Sequence, residues 1–133
     1  MIPFIQPYHF DNQEVFSELV SITERSKSME FYLFKEIEDP EQVLTLLSAF
    51  QKSESMTTTE QVPIFCPTLL DNNSQVYNKF IEVLNCGKSI EKLNMINSHM
   101  RYNRWETDKM LTAVRDSSVA ENLKYIFMQA NYS

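Results

Sequence analysis

Asp39-Pro40-Glu41-Gln42-Val43-Leu44-Thr45-Leu46-Leu47-Ser48-Ala49-Phe50 carries the signals of both a helix start and a helix body. An aspartate can accept from the first orphan amides of a helix. Proline suits the first helical position because its missing N–H would be unpaired there anyway. The acid in the first turn faces the positive end of the helix dipole. Val43, Leu44, Leu47 and Phe50 then recur at helical spacing, so one face of the segment can enter a core. The expectation for the whole chain is therefore helix stripes buried against one another.

Toward the N-terminus, Asp11-Asn12-Gln13-Glu14 reads as a capping box, with Asp11 accepting and Glu14 reaching back. Val15, Phe16, Leu19, Val20 and Ile22 follow on one stripe to about Arg25. Between these two helices, Met29 to Ile37 fits either period, and its aromatic content favours a strand. Met1 to Phe10 holds Pro3 and Pro7 and is expected to be extended. Past the second helix, residues 53–60 are polar without periodicity and predict a mobile loop. Gln61 to Cys66 is bounded by Pro67 and contains Pro63, so it reads as extended, suited to a sheet edge.

Ser74 opens a third helix carrying Val76, Tyr77, Phe80, Ile81 and Leu84. It stops at Gly87, the only glycine, which is expected to close the helix in the left-handed conformation. Ser89 is expected to start a fourth helix with Ile90, Leu93, Ile96 and Met100 inward. Asn103 to Glu106 can cap a fifth holding Met110, Leu111 and Val114. Ser118-Val119-Ala120-Glu121 reads as the capping box of a last helix with Leu123, Ile126, Phe127 and Ala130. The fold class is thus mainly α: a single compact domain, residues 1–133, of five or six helices with extended proline-bearing segments and room for a short sheet. The alternative is a small α/β or α+β fold with strands near 2–9, 29–37 and 61–66.

A single glycine excludes phosphate-cradling loops, dinucleotide fingerprints and nucleophile elbows, which need several at fixed spacings. His9 and His99 stand apart without a partner at recognisable spacing. Cys66 and Cys86 lack metal-ligand spacing and read as reduced thiols rather than a disulfide. Cys86 would face the negative end of a helix dipole, which raises a thiol pKa and disfavours a nucleophile. Glu36, Glu38, Asp39 and Glu41 lack the alternating ligands and the glycine of a calcium loop. No enzyme activity, cofactor or metal is expected. No signal peptide or membrane span is legible, which predicts a cytoplasmic protein.

Charge is unevenly spread along a chain of net −6. Residues 1–45 hold nine acids against three bases, whereas residues 86–116 hold six bases against four acids. Within the basic part lie Arg101, Tyr102, Arg104, Trp105 and Lys109, a composition that protein interfaces enrich as anchors. The same residues would suit phosphate clamping and base stacking, or simply packing where two helices meet. The sequence therefore predicts a small acidic intracellular protein–protein interaction module, such as an adaptor, inhibitor or chaperone-like protein, with homo-oligomerisation open. The alternative is nucleic-acid binding through residues 88–109, disfavoured by the overall negative charge.

Overall fold

The computed structural model describes residues 12–28, 39–63, 70, 72–95 and 104–128. Among them are helices α1 (Gln13–Arg25), α2 (Pro40–Lys52), α3 (Ser55–Thr58), α4 (Ser74–Cys86) and α5 (Arg104–Asp116). A 3-10 turn spans Ser118–Glu121, and strands β1 (Lys92–Met95) and β2 (Tyr125–Met128) form a short parallel sheet. The protein is mainly helical with a short sheet, as the stripes predict. The strands expected near 2–9 and 29–37 lie outside the described residues, as do Cys66, His9 and His99.

The α2 stripe is the centre of the core. Val43, Leu46, Leu47 and Phe50 are fully buried, and α2 packs on α4 along one flank and on α1 along another. From α4 come Val76, Phe80, Val83 and Leu84, and from α1 Phe16 with the half-buried Leu19 and Val20. Each fully buried aliphatic or aromatic side chain contributes roughly 1.5–3 kcal/mol of transfer free energy. The buried residues of these helices, of α5 and of β1 form one continuous cluster. A polar latch closes the α2–α4 rim: Lys79 Nζ donates to Gln51 Oε1 at 2.7 Å, and Gln51 Nε2 donates to Glu82 Oε1 at 3.2 Å.

The helix starts are capped by short polar side chains, though not always the expected ones. Asp39 caps α2 as read, accepting from Glu41 N at 3.0 Å. For α1 the cap is Asn12, one residue later than Asp11, and its Oδ1 accepts from Glu14 N and Val15 N. Asn73 caps α4 by accepting from Val76 N at 3.1 Å. Replacing Asn73 by alanine leaves that amide without a partner and should lower stability by about 1 kcal/mol. A urea midpoint unchanged from wild type would remove this cap from the account.

Gly87 corrects one expectation. It follows α4, and its N–H donates to Leu84 O, but φ is −87° and ψ is 102°, an extended conformation open to any residue. The constraint is space. A Cβ here would overlap Ile90 Cδ1 and approach Met56 Cε to 2.8 Å. Two buried side chains reach with their terminal methyls into the volume that a side chain at this position would need.

Residues 53–60 differ from the loop that their polarity suggests. Ser53, Ser55, Met56 and Thr59 are buried, and one turn of α3 runs through the stretch. Its hydroxyls are spent on nearby groups: Ser53 Oγ donates to Phe50 O, Ser55 Oγ to Ser26 Oγ, and Thr58 Oγ1 to Lys27 O. At the buried positions polar composition reflects satisfied hydrogen bonds, while Glu54, Thr57, Thr58 and Glu60 are exposed.

The helices expected from Ser89 and Ser118 are replaced by strands. Ile90 and Leu93 are buried as expected, but Lys92–Met95 is extended. The 3-10 turn is capped by Ser117, and its chain leaves into β2. The physical reason is pairing across the chain. Lys92 is opposite Tyr125, Leu93 opposite Ile126, Asn94 opposite Phe127 and Met95 opposite Met128. On its other side β1 meets residues 60–62: Lys92 N donates to Glu60 O, and Val62 N donates to Lys92 O. The stretch from Gln61, read as extended, thus makes a parallel bridge to Lys92. β1 lies in the middle, and α5 is the crossover that a parallel pair requires.

Candidate functional site

Lys124-Tyr125-Ile126-Phe127-Met128 joins aromatic and β-branched residues, which fit a pleated strand. Its start is fixed from three directions. Asn122 N donates to Val119 O and ends the 3-10 turn, and Ser118 N donates to Asn85 Oδ1 of α4 at 2.8 Å. Lys124 N and Tyr125 N both donate to Glu91 O, at 2.7 and 3.0 Å.

That last bond sets which groups face outward. In a parallel ladder successive residues direct their N–H and C=O to opposite sides. Tyr125 points its groups at β1, so Ile126 points its own at the free edge. No hydrogen bond joins the Ile126 backbone to another described residue on that side. The side chains are also exposed: Tyr125 at 48%, Ile126 at 56% and Phe127 at 42%. Tyr125 and Phe127 share one face, with ring centroids 6.2 Å apart and planes 10° apart. Ile126 lies on the opposite face, beside its register partner Leu93, which is fully buried. A strand edge left open by the described residues, with three large apolar side chains, is a template for adding another strand.

Charge near the edge is matched within the chain. Lys124 Nζ is 3.2 Å from Glu91 Oε1, and Lys92 Nζ is 3.9 Å from Glu60 Oε2. Lys92 Nζ also sits 5.9 Å from the Tyr125 ring centroid. These exposed pairs add little stability, but they leave β2 locally neutral on an acidic molecule.

Arg101 and Tyr102 are outside the described residues. Arg104 and Trp105 belong to the first turn of α5, whose chain arrives from β1. Lys109 is half-buried, with Nζ 4.7 Å from the Tyr77 ring centroid, and ties α5 to α4. Burial and then the Asp116 carboxylate hold the Tyr77 phenol above its ordinary range, opposed by Arg115. The phenol therefore stays neutral, and its ring is a cation–π partner for Lys109. Lys109 already spends its side chain inside the molecule.

Sequence reasoning missed Tyr125, Ile126 and Phe127 as a surface because Ile126 and Phe127 also fit a helical stripe. The available signal was local: three consecutive residues of high β propensity, Tyr125 to Phe127, close behind the Glu121-Asn122 stop.

A second exposed apolar feature lies along α1, where Val15 and Ile22 are exposed and Val15 lines a shallow cleft of about 550 Å³. Its described lining is Gln13, Glu14, Val15, Ser17 and Glu18. Cys86 is a free, half-buried thiol. Among the described residues, no group of three His, Cys, Asp or Glu could hold a metal ion. Among them, too, no helix is long and apolar enough to cross a membrane. No protein-family model, curated protein or solved structure matches the chain.

Proposed function

We propose that this protein is a non-catalytic protein–protein interaction module of the cytoplasm and that the outer edge of β2 is its binding surface. One observation carries the reading: a strand with three large side chains 42–56% exposed also presents an outward backbone edge that no described residue pairs. Such an edge accepts an extended segment by main-chain hydrogen bonds, while alternate side chains supply selectivity. Arg101, Tyr102, Arg104 and Trp105 flank the same parallel sheet in sequence and are proposed as a second contact region.

Ile126→Pro tests the edge directly. Proline removes the outward N–H and places its ring at the free edge, while β1 keeps its bonds to Tyr125. Proteins captured from the native cell by wild type should be lost with Ile126→Pro at an unchanged thermal midpoint. An identical captured set from both would sink the proposal.

The stacked Tyr125 and Phe127 rings beside Lys92 favour a second reading, a platform for single-stranded nucleic acid. Gel-shift titration at low salt decides it: the absence of any shift at micromolar protein removes it.

A further inference from the structure

Resting on the reading of the β2 edge as a binding surface, we infer that its occupant is a second copy of this chain, paired antiparallel to β2 about a two-fold axis at Ile126. The outward N–H and C=O of Ile126, which bond to no other described residue, belong to one residue. In an antiparallel pair such a residue exchanges both bonds with the residue opposite it. A two-fold axis through this point makes Ile126 of each copy the partner of the other, so both free groups are satisfied in one closed contact. The register then follows without further choice. Tyr125 falls opposite Phe127 of the mate, and Phe127 opposite Tyr125. Both are non-hydrogen-bonded positions, where cross-strand side chains approach most closely. The stacked ring pair on each copy thereby becomes one four-ring layer. The two Ile126 side chains meet on the opposite face, continuing the buried face that Leu93 begins.

Charge agrees with this occupant. Lys124 falls opposite position 128 of the mate, so no like charges face one another across the axis. Its ammonium is already held by Glu91 at 3.2 Å, and Lys92 by Glu60 at 3.9 Å. A neutral edge offers no attraction to a strongly acidic or basic partner, whereas an identical neutral aromatic edge complements it.

Sedimentation velocity across micromolar to millimolar protein should show a reversible monomer–dimer equilibrium. Loss of the reciprocal pair in Ile126→Pro should weaken it by roughly tenfold to a hundredfold. Hydrogen exchange of wild type is the independent measurement, should the variant fold poorly. The Ile126 amide should gain protection as concentration rises, while α2 amides stay constant. A monomer at every concentration, or a dimer in which the Ile126 amide gains nothing, overturns the inference. If wild type is monomeric yet Ile126→Pro still loses its captured proteins, the second copy is wrong and the binding edge stands. If capture is also unaffected, both fail.

Discussion

Phe80→Ala is expected to lower the stability of this protein by about 3–5 kcal/mol. Phe80 lies on α4, is completely buried and belongs to the cluster that also contains Phe50, Leu46 and Leu47 of α2. Truncation removes the transfer free energy of the ring and leaves a cavity. The α2–α4 contact cannot collapse into that cavity freely, because Lys79, Gln51 and Glu82 hold the rim. Domains of this size are typically stable by only about 5–15 kcal/mol, so the loss would remove at least about a fifth of the margin. Urea unfolding followed by circular dichroism should show a large drop in midpoint with little change in slope. A loss below about 1.5 kcal/mol would mean that α4 does not bury this face against α2.

Gly87→Val should cost about 1–2 kcal/mol, and the cause can be separated from a backbone effect. With φ at −87° the position demands no special backbone conformation, so any penalty comes from volume. The new Cβ meets Ile90 and Met56, both buried, and overpacking of this kind typically costs about 1–3 kcal/mol. A smaller opposing gain of about 0.4–1 kcal/mol arises because any side chain restricts the unfolded chain more than glycine does. Gly87→Ala should therefore be milder than Gly87→Val. Ile90→Val removes the Cδ1 atom that the new Cβ would overlap. It should recover part of the loss, making the double variant more stable than the sum of its single effects. Strict additivity would point back to the left-handed cap that the sequence suggested.

Helix α2 shows how far local reading reaches. Its cap, first-turn proline and stripe are all interactions within one turn or along one face, so twelve neighbouring residues contain the whole instruction. The start of α4 at Ser74 is equally local, whereas the left-handed glycine cap expected at its end is absent. The α3 stretch was less legible, because its serines and threonines look solvated in sequence and are in fact bonded to Ser26 and Lys27 far upstream. The candidate surface was the least legible part. Arg104, Trp105 and Lys109 drew attention by composition, yet Lys109 is occupied by Tyr77, a contact between two helices that no spacing reveals.

From its sequence alone, then, this chain determines a predominantly helical body without glycine-rich ligand loops, and it places the main helix starts within a residue. Only the tertiary structure decides that residues 92–95 and 125–128 are strands, that β1 is flanked on both sides and that, among the described residues, β2 lies at an edge. Helix hydrogen bonds close within four residues, so their signals are local. A parallel ladder joins residues more than thirty positions apart, and short apolar runs such as these satisfy either period until their partner is in place.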